Sequence, residues 1–259
     1  MMKQIGIIGF GNLGFALSKG ILKNEMYHIL ASKRNPIEHN LERFEWATNE
    51  QIIQNCDLII LAIKPYAVKD FFNSSKHFFK DRSIVLVSVV SGLNSKEFYK
   101  LIENSNVEFV RAMPNTAAEV KESMTALSFS ETGKNNRQEV ISLFDTIGGT
   151  LVIKEELMEA ATIIGACGIA YVLRFMRAMI QGGVEVGFDT KTATEMVAQT
   201  IKGAAQLIIE NKTHPEQEID KVTTPKGCTI VGLNAMEHSG FSSSLIKGIV
   251  ESFHKIEVK

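Results

Sequence analysis

The stretch Ile5-Gly6-Ile7-Ile8-Gly9-Phe10-Gly11-Asn12-Leu13-Gly14-Phe15-Ala16-Leu17 decides the fold. A short apolar run enters a Gly-x-Gly-x-x-Gly turn, after which Leu13, Leu17 and Ile21 recur at helical spacing. That order of strand, turn and helix suits a dinucleotide. Gly9 permits the tight turn, Gly11 lets the backbone approach a pyrophosphate, and Gly14 lets helix and strand pack closely. The helix N–H groups, beginning with those of Asn12 and Leu13, then face phosphate charge. The plain alternative is a glycine-rich turn that binds nothing.

The next strand, Tyr27-His28-Ile29-Leu30-Ala31, leads to the residues that select the cofactor. About 20 residues beyond the glycines, a chain that binds NAD places Asp or Glu on the ribose hydroxyls. Here the strand runs into Ser32-Lys33-Arg34-Asn35 instead. A guanidinium fork suits a 2′-phosphate, which a carboxylate would repel. Ser32, Lys33 and Arg34 therefore point to NADPH, with NADH as the alternative donor, unless this is only a solvated basic turn.

Further short, β-branched runs follow at 58–63, 84–89 and 107–110, then at 125–129 and 150–153 around a helix from about Asn135 to Ile147. Repeated crossovers predict a Rossmann-type doubly wound parallel sheet, an α/β fold, over residues 1–153. Past Lys154 the period becomes helical, as in Ala193, Met196, Val197, Ile201 and Ala204, so residues 154–259 read as an all-helical domain. Gly165-Ala166-Cys167-Gly168 lets another backbone come close, either in a second copy or within one subunit.

The net charge of −1 over 259 residues gives no footprint for nucleic acid. Three scattered cysteines, Cys56, Cys167 and Cys228, suggest neither a disulfide framework nor a metal site, and point to a cytoplasmic protein. No segment reads as a signal peptide or a membrane span; the best apolar candidate, residues 160–173, ends on Arg174.

Two more segments carry chemistry. Thr224-Pro225 reads as a cap followed by proline at the first helical position, which leaves N–H groups free around Lys226, Gly227 and Cys228 for a carboxylate, with the Thr229 hydroxyl close by. An ordinary capped helix is the alternative. Arg111-Ala112-Met113-Pro114-Asn115-Thr116 follows a strand, so Asn115 and Thr116 should border the nicotinamide.

Together these residues resemble the pyrroline-5-carboxylate reductase family over nearly the whole chain. The likeness includes the glycine turn, Leu61-Ala62-Ile63-Lys64-Pro65, Met113-Pro114-Asn115-Thr116, His214-Pro215, and the run from Thr224-Pro225 through Gly240-Phe241. It implies a Rossmann domain with a helical dimerisation domain, NAD(P)H as hydride donor, and reduction of a C=N bond in the last step of proline synthesis. It also implies a homodimer sharing a substrate site, able to assemble further. Carried over by motif, Ala62, Lys64 and Pro65 fall with the cofactor and Thr224, Lys226, Gly227, Cys228 and Thr229 with the substrate. Thr229 would hydrogen-bond the ring nitrogen as the catalytic residue, and the backbone of Gly227 and Cys228 would hold the carboxylate. The chain departs from the family at Ile169, Arg177, Lys226 and Ser242, where proline, glutamate, glycine and arginine are expected. A reductase of a related cyclic imine or oxo acid, and a non-catalytic NADP-binding regulatory paralogue, therefore stay open beside the main reading.

Overall fold

The structure is a computed structural model and describes residues 2–102, 106–130 and 136–257. The expected helix start at Asn135 lies outside the described residues. Contacts divide the chain into a unit of residues 1–169 with 255–259 and a second unit, Ala170–His254.

In the first unit, β1 (Lys3–Ile8), α1 (Asn12–Ile21) and β2 (Tyr27–Ser32) build the glycine turn and its neighbour strand. Next come β3 (Phe44–Trp46), α2 (Asn49–Asn55), β4 (Leu58–Leu61), α3 (Val68–Ser75), β5 (Ile84–Ser88), α4 (Ser95–Ile102) and β6 (Val107–Met113). β7 (Ser123–Phe129), α5 (Arg137–Asp145) and β8 (Gly148–Val152) complete the sheet. The strand order is β3-β2-β1-β4-β5-β6-β7-β8, so β1 lies between β2 and β4.

Side chains alternate across each strand, and both faces are apolar. Leu58 and Ile60 pack with Leu17 and Ile21 of α1 and Leu143 and Phe144 of α5. Ile59 and Leu61 face the other way, onto Ile52 of α2, Phe72 of α3 and Phe98 of α4. Helices cover both faces, as a buried parallel sheet requires. The structure refines the expectation in two places: β3 was not anticipated, and β7 runs antiparallel to β6 while the other pairs are parallel. β3 is only three residues long, half-exposed at the sheet edge, and lacks the apolar run that marks its neighbours.

The change to helix after Lys154 does not coincide with the division into compact units. α6 (Met158–Ala161) and a π-helical turn, Thr162–Cys167, belong to the first unit because Met158 is fully buried beside Met113 and Ala126. The helical run Glu155–Glu185 has 31 residues and is long and apolar enough to cross a membrane by length and composition. The apolar stretch thus continues past Arg174, where the sequence reading ends it; a single helix of this kind is also what a core or interface helix presents. The run includes α7 (Gly168–Glu185). In the second unit, α8 (Thr190–Asn211), α9 (Pro215–Val222), α10 (Cys228–His238) and α11 (Phe241–Glu257) follow.

Candidate active site

The glycine turn meets its three requirements by different means. Gly9 has φ +99°, and a Cβ there would lie 2.6 Å from the Ala62 carbonyl oxygen at the end of β4. A Cβ on Gly14 would lie 2.5 Å from the Gly9 carbonyl oxygen, so helix and turn touch. Gly11 has nothing within 4 Å of its Cβ direction, which leaves space for a ligand to approach the backbone. α1 begins directly after Gly11 with no side-chain cap and no acidic residue in its first turn. The N–H groups of Asn12, Leu13 and Gly14 therefore have no intrahelical acceptor and stand at the positive end of the helix.

Beside this turn a cavity of about 790 Å³ opens over the carboxyl ends of β2 and β4. Gly9, Ser32, Lys33, Arg34 and Asn49 are among its lining residues. Among the described residues, Lys33 and Arg34 make no ion pair. Uncompensated cations, an open glycine and free helix N–H groups fit a phosphorylated dinucleotide. Ser32 is buried and donates to the Asn49 side-chain oxygen at 2.6 Å. Asn49 escaped the sequence reading, although a signal was present: Thr48 and Gln51 form a reciprocal cap that fixes the first turn of α2 around it. Ala62 closes against Gly9 by donating its N–H to the Ile8 carbonyl at 2.7 Å. Lys64, extended, then leads into a one-turn helix, Pro65–Ala67, that Pro65 opens.

The Asn115 side chain, expected to border the nicotinamide, is also bonded within the protein. It is buried, its side-chain oxygen accepts from the Ala117 N–H at 2.9 Å, and its amide donates to the Gly165 carbonyl at 2.9 Å. The side chain thus ties the loop after β6 to the π-helical turn, and π turns inside helices recur at functional sites. Thr116 stays exposed. Nearby, the Arg111 guanidinium is buried and pairs with Glu159 at 2.7 Å and Glu155 at 3.7 Å. Glu155 also accepts from the N–H and hydroxyl of Ser95, at 2.7 Å and 2.9 Å. This network holds the start of the helical run against the sheet.

In the second unit the expected helix start at Thr224-Pro225 is corrected. The Gly227 N–H donates to the Thr224 carbonyl at 2.9 Å, and Lys226 has φ +64°, so residues 224–227 form a tight turn. α10 starts at Cys228, with Gly227 as its cap residue. Proline's fixed φ suits the second position of a turn as well as the first position of a helix, and the left-handed residue that follows excludes the helix. A Cβ on Gly227 would lie 2.5 Å from the Thr224 hydroxyl and 3.0 Å from its carbonyl oxygen, so a larger residue there would force the Thr224 side chain to shift. The free donors consequently move along the chain. The Gly227 N–H is engaged, and those of Cys228, Thr229 and Ile230 head the helix. Thr224, Lys226, Cys228 and Thr229 are exposed, and the Thr229 hydroxyl has no partner among the described residues. At His214-Pro215 the same kind of signal does start a helix: His214 caps α9 and Pro215 is its first residue.

Of the departures, Ser242 donates to Glu237 at 2.6 Å, Arg177 is exposed and Ile169 is half-buried. All three cysteines are free. Burial pushes the Cys56 thiol up to about 11, and raises that of Cys167 as well. Among the described residues no group of three or more His, Cys, Asp or Glu could hold a metal ion.

Comparison with known proteins covers both units. Residues 155–258 match a family described as pyrroline-5-carboxylate reductase dimerisation, and residues 4–92 one described as NADP oxidoreductase, coenzyme F420-dependent. Pyrroline-5-carboxylate reductase 1 of Dictyostelium discoideum is 41% identical over 97% of this chain, which spans about half (49%) of that relative's length. Pyrroline-5-carboxylate reductase 2 of the same organism is 37% identical over 98% of this chain and 92% of its own. The crystal structure of Plasmodium falciparum pyrroline carboxylate reductase with NADP bound superposes with a TM-score of 0.91 at 26% identity, over 100% of this chain and 99% of that one. A turn built around Gly9, Gly11 and Gly14 and a loop leading to Thr229 thus sit within a likeness that runs from end to end, and the chain belongs to the pyrroline-5-carboxylate reductase family.

Proposed function

We propose that this chain reduces 1-pyrroline-5-carboxylate to proline, the last step of proline biosynthesis, with NADPH as the preferred hydride donor and NADH as the alternative. The observation that carries the cofactor half is the cavity beside Gly11, lined by Ser32, Lys33 and Arg34 with neither cation paired among the described residues. The named relatives, and the solved one with NADP bound, support the reaction.

When bound, the nicotinamide supplies a hydride. The protein's own work is to bind and orient. The first-turn N–H groups of α1, from Asn12 to Gly14, hold the pyrophosphate. Ser32, Lys33 and Arg34 take the 2′-phosphate, Ala62, Lys64 and Pro65 border the cofactor, and Asn115 fixes the loop after β6. At the start of α10 the N–H groups of Cys228 and Thr229 hold the substrate carboxylate, and the Thr229 hydroxyl orients the ring nitrogen. Gly227 contributes through its turn and not through its N–H. The exposed apolar residues of the helical unit support a homodimer, which can assemble further. Three unpaired thiols support a cytoplasmic location.

The purified protein should oxidise NADPH when given pyrroline-5-carboxylate, and Arg34→Asp should erode the preference over NADH. Equal kcat/KM for the two donors in the wild type would remove the basis of the cofactor assignment. The departures at Ile169, Arg177, Lys226 and Ser242 favour one second reading, a reductase of a related cyclic imine or oxo acid. A substrate panel in the same assay separates the two, and no oxidation of NADPH with any member would favour a non-catalytic paralogue.

A further inference from the structure

The chain has four tyrosines. Tyr27 is buried in the core, the Tyr99 hydroxyl pairs with Ser130, and the Tyr171 hydroxyl donates to Ser252. Tyr66 is 85% exposed and has neither a hydrogen bond nor a ring contact among the described residues. Its backbone is nevertheless fixed. Pro65 sets the entry to a one-turn helix, and the Ala67 N–H closes that turn on the Lys64 carbonyl at 2.9 Å. A rigid turn therefore presents an aromatic ring at the cavity beside the glycine turn, which Tyr66 lines.

Position within the sheet says what that ring can meet. β2 and β4 flank β1, so the cavity has one wall from the segment after β2, with Lys33, Arg34 and Pro36, and another from the segment after β4, with Tyr66, Ala67 and Asp70. A dinucleotide laid across the end of β1 with its 2′-phosphate at Lys33 and Arg34 brings the adjoining base between these walls. The base is flat, and aromatic rings bind its π-face whatever its edge carries. We infer that Tyr66 is an adenine-stacking residue, whose phenol ring forms the face on which the purine of the dinucleotide rests. This rests on the NADPH reading above.

Calorimetric titration of the full-length protein with NADPH and with NADH tests it, alongside Tyr66→Ala, Tyr66→Phe and Arg34→Ala. Tyr66→Ala should raise Kd for both dinucleotides about tenfold, since both carry the same base. Tyr66→Phe, which keeps the ring, should restore Kd to within about twofold, and Arg34→Ala should weaken NADPH alone. Quenching of Trp46, the single tryptophan and a residue lining the same cavity, gives a second readout. Unchanged Kd in Tyr66→Ala overturns the assignment and leaves the cofactor reading intact. An effect on NADPH only also overturns it, because the ring would then be sensing the phosphate. A wild-type protein that binds neither dinucleotide overturns both.

Discussion

In the sheet unit Ile7, Ile29, Ile60 and Val87 lie on neighbouring strands with no exposure, whereas in the helical unit Ala193 and Val197 are the buried residues among those described. Met196, Val231 and Ile246, all large and apolar, are more than half exposed in the single chain. The two regions were built under different conditions. A doubly covered sheet closes its own core, while helices with apolar residues left on the surface need another partner to bury them. The match of residues 155–258 to a dimerisation family fits that difference.

The difference can be broken by mutation. Phe109 is fully buried and stacks on Phe98 with 4.0 Å between ring centroids. Phe109→Ala should cost about 3–5 kcal/mol, and the loss measured by urea unfolding should not depend on protein concentration. Ile246→Ala would cost less than about 0.5 kcal/mol on a plain surface. If a second copy covers it, its unfolding midpoint should fall further as the protein is diluted. A concentration-independent midpoint, or light scattering that returned the mass of one chain, would break the comparison.

Within the sheet unit the Arg111 network marks where the helical run begins. Glu159→Ala leaves a buried guanidinium with Glu155 alone, 3.7 Å away. The expected loss is about 3 kcal/mol, the lower end for a broken buried pair because Glu159 is itself a quarter exposed. A loss below about 1 kcal/mol in the same unfolding experiment would show that Glu155 closes in to replace it.

Thr229→Ala moves the test to the helical unit and from stability to rate. Its hydroxyl is exposed and unpartnered among the described residues, so removing it breaks no structural bond. Transition-state stabilisation should fall by about 1–3 kcal/mol with cofactor affinity unchanged. Wild-type turnover in this variant would show that the role implied by the family does not apply to Thr229.

How far the sequence could be read also differs between local and distant effects. β1, β2, β4 and β5 were legible because parallel strands buried on both faces are continuous apolar runs, and the glycine turn because three glycines have separate steric tasks. β3 was not, since three half-exposed edge residues make no such run. Asn115 was legible as a polar residue of the loop after β6, but its bond to Gly165 was not, because that partner is fifty residues on and no local pattern announces it. The pairing of Arg111 with Glu155 and Glu159 was hidden for the same reason. Thr224-Pro225 was misread since a proline-fixed φ serves a helix start and a turn alike, and only the conformation of Lys226 separates them.

Lys226 is where the smallest effect is expected. It occupies the third position of the turn with φ +64°, a conformation that favours glycine, the residue that the family resemblance leads one to expect there. For a residue with a Cβ this region costs on the order of 1–2 kcal/mol. Glycine would remove that strain but lose about 0.5–1 kcal/mol through the greater freedom of its unfolded chain. The two effects nearly cancel, so Lys226→Gly should change stability by less than about 1 kcal/mol. The ammonium is exposed beside the first turn of α10, and an exposed charge is largely screened. KM for pyrroline-5-carboxylate should therefore stay within about threefold, roughly 0.6 kcal/mol. A tenfold rise with unchanged stability would mean that the ammonium reaches the bound carboxylate, and that this chain has exchanged a flexible glycine for a cationic ligand of its own.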